Sequence, residues 1–195
     1  MKKVSMLILA ICSAVAAFGQ FEKGNFLVGG SIGLDLTTSK VKFDGNSQTD
    51  HKDTDFSMDP MAAIFVIDNL AVGAALGFSS STYKEDGTDY KETTTEFTFE
   101  PMARYYLPQN VFFQGRGILG NATDKEVDGG TTDKDKYGVS GFSLGAGYAY
   151  FLGENVAVEP LIGYESKGYK NKDTDVRFVE GGLFIRIGFQ IYLRK

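Results

Sequence analysis

Apolar side chains alternate with polar or small ones along the last part of the chain. One parity gives six apolar residues in succession, Leu183, Ile185, Ile187, Phe189, Ile191 and Leu193. The other parity gives Phe184, Arg186, Gly188, Gln190 and Tyr192. A period of two residues predicts a β-strand with one apolar face. The alternation continues for about twelve residues, whereas a strand of a soluble sandwich usually has about five or six. The length favours a strand that faces lipid.

The same alternation recurs in seven other segments and predicts eight strands in all. In the first segment Phe26, Val28 and Ile32 share the apolar parity. The predicted strands are 26–37, 55–67, 70–83, 92–107, 110–120, 137–151, 156–168 and 174–193. Each is close to or longer than the roughly 9 to 11 residues with which a tilted strand crosses the hydrocarbon of a bilayer.

Short and long connections alternate between these strands. The short ones are turns rich in Asn, Asp, Gly or Pro, at 67–70, 107–110 and 152–155. The long ones are polar and charged, and we expect loops at 38–55, 82–92, 121–136 and 166–175. This alternation places both chain ends on the short-turn side, which is the periplasmic side of an outer-membrane barrel.

A sheet in lipid must close on itself, because the bilayer offers its edges no hydrogen-bond partners. We therefore predict an all-β fold, an eight-stranded antiparallel up-and-down transmembrane β-barrel.

Pro60, Pro101 and Pro160 fall on the outward parity inside predicted strands. Since proline cannot donate to the ladder, we expect these three residues to mark bulges or strand ends.

The inward parity carries charges of both signs. The candidate lumen residues are Glu96, Glu100, Arg104, Arg116, Glu159, Glu165, Glu180 and Arg186. An eight-stranded barrel is narrow enough for side chains to fill it, and an unpaired buried charge is costly. We expect these residues to pair as a plug. The alternatives are a selectivity ring or gated pore built from the same residues and, third, a catalytic carboxylate pair.

Aromatic residues cluster near both ends of the predicted strands, as in the interfacial girdles of membrane barrels. Near the short turns these are Tyr105, Tyr106, Phe112, Phe113, Tyr148, Tyr150 and Phe151. Toward the long connections they are Phe56, Phe78, Tyr83, Tyr137, Tyr164 and Phe178.

The N-terminus has the pattern of a secretory signal peptide. Lys2 and Lys3 precede an uncharged apolar stretch that ends in small residues before Gln20. We predict a signal peptide at 1–19 and a barrel domain at 20–195. The only cysteine of the sequence, Cys12, lies inside the signal and follows Ile11, unlike the cysteine of a lipoprotein signal.

Composition narrows the chemistry further. The 195 residues include one Cys and one His and carry a net charge of −5. A zinc site or a His-dependent nucleophilic site therefore lacks ligands and bases, and His51 lies in a charged segment. No basic patch supports nucleic-acid binding. We expect no enzyme activity, no cofactor and no metal site.

The whole chain after the signal resembles the small outer-membrane β-barrels. It is similar to OmpA/OmpX-type barrel domains and to the short porin-like barrels common in Bacteroidetes. The resemblance rests on the turn from Ile67 to Gly73 and on the C-terminal stretch from Arg186 to Leu193, which is similar to the family's assembly signal. That signal usually ends at an aromatic residue, whereas this chain continues to Arg194 and Lys195. The resemblance transfers no catalytic or ligand-binding residue.

Together these features predict a monomer in the outer membrane of a Gram-negative bacterium. We expect a structural or adhesive role, in which the connections contact lipopolysaccharide, host molecules or other cells. The expected partners are outer-membrane lipid, lipopolysaccharide and the outer-membrane assembly machinery. The second hypothesis is a narrow channel for small polar solutes, and the third is an enzyme acting on lipid.

Overall fold

The computed structural model describes residues 19–43, 46–172, 174 and 176–195. Its strands run in chain order as β1 (Phe26–Phe43), β2 (Asn46–Ile67), β3 (Leu70–Glu85), β4 (Lys91–Tyr106), β5 (Val111–Asp128), β6 (Thr131–Tyr148), β7 (Tyr150–Phe151), β8 (Val156–Asn171) and β9 (Arg177–Leu193). A 3-10 turn, Pro108–Asn110, separates β4 from β5. Among the described residues, no helix is long and apolar enough to span a bilayer.

The strands form one closed antiparallel sheet, and each pairs with its neighbours in sequence. β6 and β7 act as a single strand interrupted at Ala149, since both pair with β8 in one continuous register. β1 pairs with β9 and closes the barrel. The prediction of an eight-stranded up-and-down transmembrane barrel is confirmed.

The two faces of the sheet have opposite character, as the alternation predicts. Along β4 the buried residues are Glu96, Thr98, Glu100, Met102, Arg104 and Tyr106, while the residues between them are exposed. The exposed parity of β9 carries Ile185, Ile187 and Phe189. The exterior is therefore apolar, and the ions lie inside.

The prediction of four long loops is wrong. β3 and β4 are joined by 86–90 only, and β5 and β6 by Gly129 and Gly130, which both have positive φ as a two-residue hairpin turn requires. β2 extends over 22 residues, about twice the length that crosses hydrocarbon. Thr-rich and Ser-rich segments continue the ladder beyond the membrane, because a strand in water needs no apolar face to keep its backbone paired.

The three strand prolines do not produce the predicted bulges. Pro60, Pro101 and Pro160 are exposed on the outer face, and each is paired to a residue of one neighbouring strand, Gly30, Ala74 and Ile187 respectively. On the other side the register is the same before and after each proline. Each proline therefore removes one backbone hydrogen bond from the sheet, and no extra residue is inserted in the strand.

Candidate functional site in the lumen

The deepest ion pair of the lumen joins β4 to β8. Arg104 Nη1 lies 2.5 Å from Glu159 Oε2, and both side chains are 2% exposed. Gln114 on β5 accepts two hydrogen bonds from the same guanidinium, from Nε at 2.9 Å and from Nη2 at 2.6 Å. The guanidinium also lies over the ring of Phe112, 4.2 Å from its centroid. A buried charge pair of this kind is stabilising only when its remaining donors and acceptors are also satisfied, and here several of them are.

Two tyrosines complete the surroundings of this pair. Tyr106 accepts a hydrogen bond from Arg104 Nη1 at 3.0 Å, and its hydroxyl lies 2.9 Å from that of Tyr192. Tyr192 in turn donates to Glu159 Oε1. Arg104, Glu159 and the two tyrosines form a closed ring of hydrogen bonds across the barrel. A change in any one of these side chains would therefore leave another without its hydrogen-bond partner.

A second ion-pair layer lies one step further from the short turns. Arg116 on β5 contacts Asp59 Oδ2 at 2.6 Å and Glu100 Oε2 at 3.0 Å through Nη1. Thr98 donates to the other oxygen of Glu100 at 2.9 Å. Glu100 and Arg104 are four residues apart on β4, about 13 Å along an extended strand. The two layers are therefore stacked along the barrel axis.

A third layer lies toward the long hairpins and is less buried. Lys167 Nζ is 2.8 Å from Glu96 Oε1 and 3.4 Å from Glu165 Oε1. Arg186 Nη2 is 2.8 Å from Glu165 Oε2, and Tyr169 donates to Glu96 Oε2 at 3.0 Å. The arginine side chain is 32% exposed. Water reaches this layer, so its ion pairs are weaker than those below.

Seven of the eight candidate lumen residues lie in these three layers: Glu96, Glu100, Arg104, Arg116, Glu159, Glu165 and Arg186. Glu180 does not, because it is exposed near the end of β9 and makes no ion pair among the described residues. Sequence reasoning missed two partners, Asp59 and Lys167. Asp59 shares the inward parity of β2 with Met61, and that parity is enough to identify it. Lys167 lies where the predicted strand 156–168 overlaps the expected loop 166–175, so its parity gives no clear assignment.

The short-turn end of the lumen is filled by an aromatic cluster, which we call the floor. Its members are Phe21, Phe65, Tyr106, Phe112, Phe151 and Tyr192. Phe21 stacks on Tyr106 with ring centroids 4.1 Å apart. Tyr106 and Phe112 are fully buried and Phe151 packs against the cluster, so the assignment of these three residues to the interfacial girdle is wrong. Tyr106 shares its parity with Arg104, and the parity alone places it inside.

The chain before β1 lies across this end of the barrel and brings Phe21 into the floor. Gln20 donates to the carbonyl of Glu154 at 2.7 Å, and Phe21 accepts a backbone hydrogen bond from Asn69 at 2.7 Å. Gly24 donates to the carbonyl of Phe65 at 2.8 Å. These bonds reach two different short turns, which fixes the segment over the opening. The signal peptide predicted at 1–19 lies outside the described residues except for Gly19.

Little free space remains between the floor and the middle layer. A cavity of about 20 Å³ is bordered by Asp59, Arg104, Arg116 and Gln190. Asp59 Oδ1, Arg116 Nε and Gln190 Oε1 have no hydrogen-bond partner in this structure. The volume is enough for about one water molecule, which needs two to four polar neighbours. The described residues hold no cluster of three metal-ligating side chains.

The fold and the reversed burial pattern define an outer-membrane β-barrel. The chain belongs to the autotransporter beta-domain family, whose model matches residues 61–184. This confirms the resemblance to the outer-membrane barrels. No protein of curated function shows significant sequence similarity to the chain.

Several solved barrels are similar in structure. Neisserial surface protein A is 16% identical, with 87% of this chain and 97% of that one aligned and a TM-score of 0.44. Ail, the attachment invasion locus protein of Yersinia pestis, is 14% identical, with 88% and 99% aligned and a TM-score of 0.48. The outer membrane protein OprG from Pseudomonas aeruginosa is 15% identical, with 90% and 99% aligned and a TM-score of 0.41.

Proposed function

We propose that this protein is a non-enzymatic, monomeric outer-membrane barrel with a plugged lumen, whose role is structural or adhesive. The observation that carries the proposal is the stack of ion pairs above an aromatic floor. Arg104 and Glu159 cross the lumen in full burial, and the cavity beside them holds about 20 Å³. A hydrated ion needs a continuous water path, and the small volume beside this buried ion pair supports a lumen without one.

The strand ends beyond the membrane support the adhesive part of the proposal. β2, β3, β4, β5 and β6 continue as paired strands into the charged segments, so the backbone there is hydrogen-bonded in the sheet and does not form open loops. A preorganised surface loses less conformational entropy on binding than a flexible loop does. Lipopolysaccharide, host molecules or other cells are the surfaces we propose for it. Export through the predicted signal peptide and delivery by the outer-membrane assembly machinery belong to the same proposal.

Planar-bilayer recording tests the plug against the channel alternative. The full-length mature protein should give no reproducible unitary currents. Reproducible unitary currents that change in Arg104→Ala, Arg116→Ala or Arg186→Ala would contradict the plug and favour a channel for small polar solutes.

Incubation with purified lipid A tests the non-enzymatic part. We expect no release of acyl chains, measured by mass spectrometry of the lipid. Release that is proportional to protein concentration would overturn this part of the proposal and leave the plug untouched.

A further inference from the structure

The strands that continue beyond the membrane carry opposite charges on their two faces. Among the described side chains, the charged residues of the outward parity are all basic: Lys52, Lys84, Lys91, Lys125, Lys134, Lys136, Lys170 and Arg177. The inward parity of the same segments carries the carboxylates Asp53, Asp55, Glu85, Glu92, Asp124, Glu126, Asp133 and Asp135. Successive side chains of a strand point to opposite faces, so the sheet itself separates the two sets. We call the outward set the cationic belt.

Cations of the belt stand directly opposite one another across the sheet. Lys84 on β3 is the register partner of both Lys52 on β2 and Lys91 on β4. The same arrangement recurs in the pairs Lys125–Lys134 and Lys170–Arg177. Like charges in directly opposed positions destabilise a sheet. Lys52 contacts Asp86 at 3.3 Å, whereas Lys84, Lys91, Lys125 and Lys134 make no ion pair among the described residues. The belt therefore has a surplus of positive charge.

Below the belt the outer wall is layered in a regular way. On four strands an outward aromatic residue lies six positions from a belt lysine, in the pairs Phe78 and Lys84, Phe97 and Lys91, Phe142 and Lys136, and Tyr164 and Lys170. The outward positions between them hold Ser80, Thr82, Thr93, Thr95, Gly138, Ser140, Ser166 and Gly168. Aromatic rings at strand ends mark the edge of the hydrocarbon. From the membrane outward, the wall thus presents rings, then hydroxyl groups and glycines, then cations.

The distance between rings and cations indicates which lipids reach the belt. Six strand residues span about 20 Å, or about 15 Å along the barrel axis at a tilt of about 40°. The head groups of a phospholipid bilayer add only about 5–8 Å on each side of the hydrocarbon. Phospholipid phosphates therefore lie below the belt. A lipid whose phosphates are carried on sugars extends further, and its sugar hydroxyls lie opposite the serines and threonines.

The hairpin tips argue against a soluble polyanion as the partner. The tip between β3 and β4 carries Asp86 and Asp89, and β5 ends at Asp128 before its turn. The inward carboxylates surround the opening between the tips. An anion that arrives from solution meets these negative charges first and is repelled. A lipid lies beside the barrel wall and reaches the belt from the side.

We propose that the cationic belt binds the phosphorylated saccharide head groups of the surrounding membrane lipid. The lysines bind the phosphates, and the hydroxyl layer below them hydrogen-bonds the sugars. A phosphate between two opposed lysines replaces their repulsion by attraction, so this lipid stabilises the long hairpins. The inference rests on the proposed function, because it takes the barrel to lie in an outer membrane, and it narrows the surfaces named there to one lipid class.

Chemical labelling of lysine amines tests the contact. The full-length protein is refolded into phosphatidylcholine nanodiscs with and without lipopolysaccharide that bears phosphorylated sugars. Lipopolysaccharide should slow the labelling of Lys84, Lys91, Lys125 and Lys134 by about fivefold or more, measured by mass spectrometry. Equal labelling rates in the two membranes would overturn the proposal.

Three comparisons identify the chemistry that is bound. Lipopolysaccharide stripped of its phosphates, phosphatidylglycerol with the same number of phosphates, and heparin added in solution should each slow the labelling by less than about twofold. Full protection by the stripped lipid would assign the contact to sugars alone. Full protection by phosphatidylglycerol would assign it to any anionic bilayer, and full protection by heparin to a soluble polyanion. Each of these results would overturn the proposal.

Charge variants test whether the lysines themselves carry the effect. In urea titrations of the wild type, phosphorylated lipopolysaccharide should raise the unfolding midpoint above the value in the stripped lipid. Lys84→Gln/Lys91→Gln/Lys125→Gln/Lys134→Gln should lose at least about half of this rise, whereas arginine at the same four positions should keep it. Lys23→Gln/Lys195→Gln, which removes two exposed charges at the opposite end of the barrel, should also keep it. A full rise in the fourfold glutamine variant would overturn the proposal.

These measurements are independent of those that test the plug. A negative result would remove the lipid contact and leave the conductance experiment unaffected. Unitary currents would contradict the plug but would leave the protection of the belt lysines unchanged.

Discussion

The two ends of this barrel are closed in different ways. At the short-turn end, β1 and β9 are paired, the N-terminal segment crosses the opening, and six aromatic rings fill the lumen. At the long-hairpin end the same two strands are apart, and the lumen residues are charged and partly hydrated. One sheet therefore combines a buried half, packed with aromatic rings, with a more accessible half. Burial, more than the number of ion pairs, decides how much each half contributes to stability.

The largest expected effect is the loss of the deepest cation. Arg104→Ala leaves Glu159 buried without its counter-charge and should lower the free energy of unfolding by about 3–5 kcal/mol. Arg186→Ala is the matched change in the accessible half, where the arginine side chain is 32% exposed and the ion pair should contribute about 1 kcal/mol or less. Urea unfolding in lipid vesicles, followed by heat-modifiable migration on gels, measures both. Equal decreases in the free energy of unfolding would contradict the difference in burial between the two halves.

The next effect tests the floor. Phe21→Ala removes a ring that stacks on Tyr106, and we expect a loss of about 2–3 kcal/mol, below the value for a fully buried phenylalanine because Phe21 is half-buried. Glu22→Ala, an exposed neighbour, should change the free energy of unfolding by less than about 0.5 kcal/mol. The same urea titration compares them. A Phe21→Ala protein as stable as the wild type would mean that the N-terminal segment does not seal the barrel.

A pair of glycines tests the point at which β1 leaves β9. Gly30 has a φ of +154°, and an added Cβ would lie 2.4 Å from the carbonyl oxygen of Asp59. Gly30→Ala should therefore cost about 2 kcal/mol. Gly182→Ala, where an added Cβ meets nothing within 4 Å, should be close to neutral. A large loss for Gly182→Ala in lipid would indicate that β9 has a close neighbour there.

The smallest effect concerns the strand ends in water. Lys52 Nζ and Asp86 Oδ1 are 3.3 Å apart and both side chains are about half exposed. Asp86→Ala should cost less than about 1 kcal/mol, and the difference should vanish at 1 M salt, where such pairs are screened. Arg104→Ala should keep most of its effect at the same salt concentration. Unfolding titrations at two ionic strengths provide this comparison.

The sequence predicts the membrane-spanning strands well, because one face of each strand is apolar and the other is polar or small. In β9 the alternation of Ile185, Ile187 and Phe189 with Arg186 and Gly188 identifies the strand and shows which of its faces lies on the outside of the barrel. Beyond the membrane this contrast disappears, because both faces meet water. Asp124, Lys125 and Glu126 on β5 are all charged, so they show no alternation of apolar and polar residues. The sequence therefore predicts loops where the structure continues the strands.

The candidate lumen residues follow from parity, but their partners do not. Arg104, Glu159 and Arg116 share the inward face of their strands, and the sequence predicts that much. Which residues meet depends on the stagger of the strands around the barrel, and a single-strand pattern does not contain it. Glu180 shows the same limit, since its inward parity does not reveal that β9 pairs with β8 alone at this position.

The closure between β1 and β9 also sets the order in which the barrel folds. Every other strand pair joins neighbours in the chain, whereas this one unites residues 26–30 with 189–193 over the longest possible loop. Contacts of such sequence separation form late and slow folding. The hairpins should therefore assemble before the ends meet. Since Phe21 packs on Tyr192, a fluorescent label near Phe21 would report the final event of folding in real time.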